Sequence, residues 1–341
     1  MKLTWHRRKL HLRHPFNIAS LARTKDVERE ILFVQIEHDG QMGWGEASPA
    51  SYYGQSIDSV KDTLQRAAGM LGHDPFAFEE ILGVMWEHFP DQPATISAID
   101  IALHDLAGRL LGIPVWKWFG LDPKHLPLTS FTIGIDDLDV IEQKVREAGD
   151  YPILKVKTGT AEDDQILSAI RAAAPDKALR VDANCGWNSG NVLERCRHIG
   201  KRYGVEFIEQ PTPVGDHDAL PAVRAAGLCP VIADESCCNV QDVLKCAGCF
   251  DGINIKLSKC GGIRPAMKMI HVARAAGLKV MLGCMIETSV GIAAAAQLAP
   301  LADWLDLDGH LLLGDDPFEG IGGEHGRLTL NDRPGIGVVE R

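Results

Sequence analysis

Three acidic residues occupy equivalent places in the chain. Asp182, Glu209 and Asp234 each close a short apolar run, and the runs succeed one another roughly every 25 residues. Carboxylates that converge repel one another unless a cation lies among them. All three offer hard oxygens, which suit Mg²⁺ completed by water or substrate, whereas zinc prefers His or Cys. A single Asp at a strand end ordinarily makes a salt bridge. Three in succession point to a metal.

Two further runs carry lysines. I-L-K-V-K holds Lys155 and Lys157, and I-N-I-K ends at Lys256. An amine on each side of a metal-held carboxylate suits one kind of reaction. The α-proton of a carboxylate is a very weak acid, and its loss puts a second negative charge on that group. A divalent cation aimed at those oxygens stabilises the resulting enediolate. With one amine neutral and the other protonated, a proton leaves one face and another returns to the opposite face. That is a 1,1-proton transfer: an epimerisation or racemisation.

These side chains need a frame. Short β-rich runs begin near Leu128, Ile153, Ala178, Val205, Val231, Ile253, Lys279 and Trp304, with helical stretches between them, among them 163–173, 192–201 and 265–276. Eight strand–helix units in regular succession predict an α/β fold, a modified (β/α)8 barrel of TIM type. Such barrels carry their chemistry at the C-terminal ends of the strands. Strands two and six of eight face each other, so Lys157 and Lys256 flank the mouth, and strand eight, with Asp306 and Asp308, faces strand four. Lys155 and Lys157 share a face. Lys157 is nearer the strand end and is the expected base. Lys155 is expected near the metal ligands or the substrate carboxylate, where a second cation favours a neutral amine at Lys157. Lys259 lies past the strand and reads as a loop lysine with a surface role.

Residues 1–120 have another character. The segment 31–46 reads as a hairpin turning at Asp39-Gly40. A helix is predicted over 95–111, ending at Gly112 ahead of Pro114. This predicts an α+β capping domain, completed by about 310–341, over a barrel domain of 121–309. The basic run 6–14 alternates with Leu10 and Leu12 and reads as an edge strand.

The 341 residues are 45% hydrophobic and carry a net charge of −11. That balance argues against nucleic acid as a partner. No run approaches the ~18 apolar residues of a membrane span, and no apolar signal core follows the basic N-terminus, so a cytoplasmic protein without membrane contact is expected. Nine cysteines, all between Cys185 and Cys284, form an odd set unlike a disulfide framework. Cys246-x-x-Cys249 with Cys237 and Cys238 is an alternative zinc set for a non-enzymatic binding protein, but buried thiols are the plainer reading.

The motifs K-V-K (155–157), V-D-A-N (181–184), I-E-Q-P (208–211), A-D-E-S (233–236) and I-N-I-K-L-S-K-C-G-G (253–262) together resemble the enolase superfamily, in its muconate-lactonising subgroup. The resemblance runs over nearly the whole chain. It implies Mg²⁺ bound by Asp182, Glu209 and Asp234, with Lys157 and Lys256 as the two bases, a pairing of lysine base and Mg²⁺ known in that superfamily. D-L-D-G (306–309) and G-C-M-I-E-T-S (283–289) are most similar to dipeptide epimerases of the L-Ala-D/L-Glu type. The likeness implies a dipeptide substrate whose ammonium is held by Asp306 and Asp308, contact from Thr132, and assembly into homo-oligomers. The side chain of the inverted residue is expected to meet the loop 19–30 and Tyr52-Tyr53-Gly54. Arg23 there suits an acidic side chain, while Asp26, Glu28 and Glu30 suit a cationic one.

Other chemistries fit parts of the same set. N-acylamino acid racemisation or o-succinylbenzoate synthesis would keep the site but leave Asp306 and Asp308 without an ammonium. A Schiff-base aldolase would use Lys256 and no metal, against the three-acid cluster.

Overall fold

The computed structural model describes residues 1–19 and 24–341. Its first layer is an antiparallel sheet of β1 (Lys2–His11), β2 (Glu28–His38) and β3 (Gln41–Ala47). β1 pairs with β2 alone and is an edge, as its alternating basic run predicts. The β2–β3 turn needs left-handed backbone at two residues, and Asp39-Gly40 supplies it with φ of 48° and 74°. Strand alternation then divides the sheet. Leu32, Val34 and Ile36 face helices α1 (Ile57–Ala67), α2 (Phe78–His88) and α3 (Pro93–Leu111), while Ile31 and Phe33 face the other way, into the main core.

α3 is buried continuously from Ala94 to Gly108, because it lies between the sheet and the barrel. Gly43 and Gly45 of β3 let its backbone come close. A Cβ on either would sit 2.1 Å from Ala102 O or 2.0 Å from Ala98 O. Polar residues of this buried helix serve the joints. Asp100 accepts from Ile263 N and Arg264 N at the start of the barrel helix Ile263–Ala275. Asp105 accepts from Trp44 N at 2.8 Å and Ile336 N at 2.9 Å.

The barrel is one eight-stranded parallel sheet in sequential order: β4 (Phe131–Ile133), β5 (Ile153–Lys157), β6 (Ala178–Asp182), β7 (Val205–Glu209), β8 (Val231–Ala233), β9 (Gly252–Ile255), β10 (Lys279–Gly283) and β11 (Trp304–Asp306). A bridge between Thr129 and Leu305 joins the first strand to the last. The helix over 163–173 has the predicted bounds. The first strand is shorter than its run from Leu128, with Thr129 left as the closing bridge. Inside, Phe207, Ile232 and Met281 fill the base of the barrel with Trp304 against them. Arg180 lies one pleat below Asp182, its Nη1 donating to Leu305 O at 2.6 Å. The chain after β11 returns to the first sheet. The Phe318 ring lies 4.9 Å from that of Phe33 and 4.8 Å from that of Trp44. No helix of the described residues is long and apolar enough to cross a membrane.

Candidate active site

Asp182 and Glu209 are the last residues of β6 and β7, and Asp234 directly follows β8. Parallel register therefore delivers all three to one rim. Their carboxylate oxygens lie within 4.8 Å of one another, and all three side chains are buried. Among the described residues this is the one group of three or more acidic, His or Cys side chains so placed. The neighbouring loops hold it rigidly. Gln210, with a left-handed φ of 34° that is costly outside glycine, accepts from Asp234 N and Ser236 N at 2.9 and 3.1 Å. Its side chain thus ties the loop after β7 to the loop after β8. Asn254 Nδ2 donates to Glu209 Oε1 at 2.8 Å.

Three buried acids this close need positive charge. Burial, reinforced by Asp182, pushes Glu209 up to about 7 although Lys155 opposes it. Lys155 Nζ lies 2.7 Å from Glu209 Oε2, 3.1 Å from Asp182 Oδ2 and 2.7 Å from Asp306 Oδ2. The structure so places Lys155 among the acids. Hard-oxygen donors without His or Cys fit Mg²⁺ and not zinc, and the residual demand for a cation at Glu209 agrees.

Lys157 ends β5, and its Nζ lies 2.7 Å from Asp182 Oδ2. Lys256 follows β9 and opens the one-turn helix Leu257–Cys260, its Nζ 2.8 Å from Asp234 Oδ2. β5 and β9 are four strands apart in a closed barrel of eight, so the two amines reach the triad from opposite walls. Both line a cavity of about 180 Å³ between barrel and first domain, together with Lys155, Asp306, Asp308 and Thr132.

The two aspartates of the last strand are not equivalent. Although burial opposes it, Lys155 and Lys157 hold Asp306 down at about 2, and Ser130 Oγ donates to it at 2.6 Å. Burial, then Asp306 itself, pushes Asp308 up to about 7. Asp308 accepts from Thr132 N at 2.6 Å and sits in no ion pair among the described residues. Thr132 thus props both aspartates, its Oγ1 being 3.4 Å from Asp306.

One expectation changes. Lys259 is no surface residue. It is 3% exposed, and its Nζ contacts the Asp234 carboxylate and donates to Asp234 O at 2.6 Å and Asn254 O at 3.1 Å. Arg23 lies outside the described residues. Sequence reasoning also passed over Asn254, which shares an inward face with Lys256 two residues on, and Arg29, which enters the cavity from β2.

Residues 2–120 match the family described as mandelate racemase / muconate lactonizing enzyme, N-terminal domain, and residues 138–340 match the enolase C-terminal domain-like family. The L-Ala-D/L-Glu epimerase of Bacteroides thetaiotaomicron is 43% identical over the whole of this chain and 88% of its own length. The structure of a dipeptide epimerase from Enterococcus faecalis, complexed with Mg and L-Leu-L-Tyr, superposes with a TM-score of 0.91 at 33% identity, covering 99% of this chain and 98% of that one. The dipeptide epimerase from Methylococcus capsulatus, complexed with Mg and L-Arg-D-Lys, gives a TM-score of 0.90 at 33% identity, covering 99% and 100%.

Proposed function

The chain belongs to the mandelate racemase / muconate lactonizing enzyme family of the enolase superfamily, and from that premise we propose that it epimerises dipeptides at the α-carbon of the C-terminal residue. The observation that carries this reading is the opposition of Lys157 and Lys256 across one buried carboxylate triad in one cavity. Asp182, Glu209 and Asp234 would hold Mg²⁺, which supplies positive charge against a substrate carboxylate as its α-proton leaves.

The chain's own side chains do the rest. Lys157 and Lys256 stand on the two faces of the α-carbon, one neutral to take the proton and the other protonated to return one, and their roles exchange in the reverse direction. Lys155 helps Lys157 hold Asp182 below its ordinary range, opposes the rise at Glu209 and fixes Asp306. The first domain, residues 1–120 completed by about 310–341, closes the cavity of the 121–309 barrel and keeps water from the reacting carbon.

Asp308 distinguishes this reading from N-acylamino acid racemisation and o-succinylbenzoate synthesis. A buried carboxylate pushed up to about 7, with no ion-pair partner among the described residues, suits a substrate with a free ammonium one residue away from the metal-bound carboxylate. The net charge of −11 supports a small-molecule enzyme without a nucleic-acid partner, and a cytoplasmic location and assembly into homo-oligomers are part of the same proposal.

The test is deuterium uptake. A library of L,L-dipeptides is incubated with the protein and Mg²⁺ in D₂O, and mass spectrometry reads label at the C-terminal α-carbon. Label with inversion in at least one dipeptide is expected. Absence of label throughout the library removes the proposal.

A further inference from the structure

Two of the motifs around the triad contain a polar residue that the reaction above does not use: Asn184 in V-D-A-N and Glu235 in A-D-E-S. Asn184 lies two residues beyond Asp182, and Glu235 directly follows Asp234. Both side chains are buried, and both line the cavity that holds Lys157 and Lys256. They touch each other, Asn184 Nδ2 donating to Glu235 Oε1 at 3.3 Å. That contact leaves one oxygen on each side chain. Asn184 Oδ1 and Glu235 Oε2 are buried and have no hydrogen-bond partner among the described residues.

A buried acceptor without a donor loses the solvation it had in water. The loop after β6 cannot turn to relieve its member of the pair. Asn184 has a left-handed φ of 41°, which Asn tolerates better than most residues. Its N–H donates to Asp182 Oδ1 at 3.0 Å, and Cys185 N donates to Gln210 O at 2.9 Å. The neighbouring cations are occupied as well. Lys157 Nζ donates to Asp182, and Lys256 and Lys259 donate to Asp234. What the two oxygens lack is a donor delivered into the cavity beside the triad.

The substrate does not bring one there. In the proposed reaction the group that meets the triad is a carboxylate, which has no proton to donate, and the ammonium lies at strand eight. Water on the metal does bring one. Mg²⁺ takes six oxygens in a near-ideal octahedron. Asp182, Glu209 and Asp234 each offer one ligand atom, and a substrate carboxylate has two oxygens, so at least one position falls to water even with substrate bound. Such a water is a strong donor, because the cation withdraws electron density from its O–H bonds.

We propose that Asn184 and Glu235 are positioning residues for the metal, Asn184 Oδ1 and Glu235 Oε2 accepting hydrogen bonds from water held by Mg²⁺. The inference rests on the metal reading above and adds the outer layer of its site. Partners of this kind typically contribute about 10- to 100-fold to metal affinity. Glu235→Gln keeps the shape and the contact with Asn184 but turns an amide N–H toward the water, donor against donor. Asn184→Gly removes the acceptor and suits the left-handed backbone.

The experiment is a calorimetric titration of Mg²⁺ into the substrate-free protein, with urea unfolding in EDTA beside it. In both variants the Kd for Mg²⁺ is expected to rise by about 10- to 100-fold. The urea midpoint of metal-free Glu235→Gln is expected not to fall, whereas a merely structural role would lower it and spare the Kd. An unchanged Kd in folded Glu235→Gln overturns the inference and leaves the epimerase reading standing. A loss as large as that of Asp234→Asn also overturns it, since Glu235 would then be a direct ligand. The wild-type protein crystallised with Mg²⁺ gives the same test without a variant. A metal-bound water within hydrogen-bond reach of Asn184 Oδ1 and Glu235 Oε2 is expected, and its absence overturns the inference. Wild-type protein that binds no Mg²⁺ removes the metal reading and this inference with it.

Discussion

The carboxylate of Glu46, on β3 of the first domain, accepts a hydrogen bond from the backbone N–H of Thr288 at 2.9 Å, across 242 positions of sequence. Thr288 precedes the barrel helix Ser289–Ala296, and Gly291 N of that helix donates to the same carboxylate at 3.1 Å. An acidic side chain from one domain therefore caps a helix of the other, and the joint is fully buried.

Burial and the nearby Glu287 push Glu46 up to about 8, against the pull of these hydrogen bonds. An unfolded Glu titrates near 4.5. Between those values the folded chain keeps a proton that the unfolded chain has lost, so this contribution to stability is full below the lower value and is lost as pH rises through the higher one. Stability against urea is expected to decline from pH 5 to pH 8 by as much as about 4 kcal/mol from this group. Glu46→Gln, which imitates the protonated state, should flatten the slope. A slope unchanged in that variant would refute the assignment.

Lys155 is the counter-charge of the triad. Lys155→Met leaves Asp182, Glu209 and Asp306 buried without it, and removal of one partner from a buried ionic set costs about 3–5 kcal/mol. Chemical unfolding without divalent cation should show a loss of that order. Added Mg²⁺ should restore part of it.

Lys157 and Lys256 divide the two faces. Lys157→Met and Lys256→Met should each lower epimerisation by about 10²- to 10⁴-fold. The lysine that remains should still exchange the α-proton of one configuration without inverting it, and the two variants should differ in which configuration that is. Proton NMR in D₂O with each isomer reads this directly. Exchange of both configurations by a single-lysine variant would rule out the two-base arrangement.

Removal of divalent cation by EDTA should abolish exchange, and Mg²⁺ should return it. A ligand at one hundred times its Kd adds about 2.7 kcal/mol to a folded state that alone binds it. The thermal midpoint should rise on Mg²⁺ addition in the wild type and not in Glu209→Gln.

Asp308→Asn should raise KM for dipeptides with a free amino terminus by about 10- to 100-fold, the loss of one charge-assisted hydrogen bond. N-acetylated dipeptides, which carry no ammonium, should be nearly indifferent to the change. A uniform loss across both sets would show that Asp308 acts on the fold and not on the ammonium.

Local pattern carried much of this protein. The repeat of apolar runs predicted the eight strands, because strand and helix periodicity are properties of neighbouring residues. Once the strands were in order, parallel register was enough to bring Asp182, Glu209 and Asp234 to one rim and to set Lys157 opposite Lys256. The Asp39-Gly40 turn and the Gly112 helix stop were equally legible, since each depends on backbone torsions available to those residues.

Tertiary structure alone decided the pairings. Whether Asp306 or Asp308 keeps a free carboxylate depends on where Lys155 Nζ comes to rest, and no spacing encodes that. Lys259 looked like surface charge until the Asp234 carbonyl was seen to accept from it. Glu46 and Thr288, and Arg29 and the cavity, belong to different domains, and the sequence between them bears no mark of their meeting. Sequence periodicity records which face of an element is apolar, whereas the partner of a buried charge is chosen by whichever distant chain the fold packs against it.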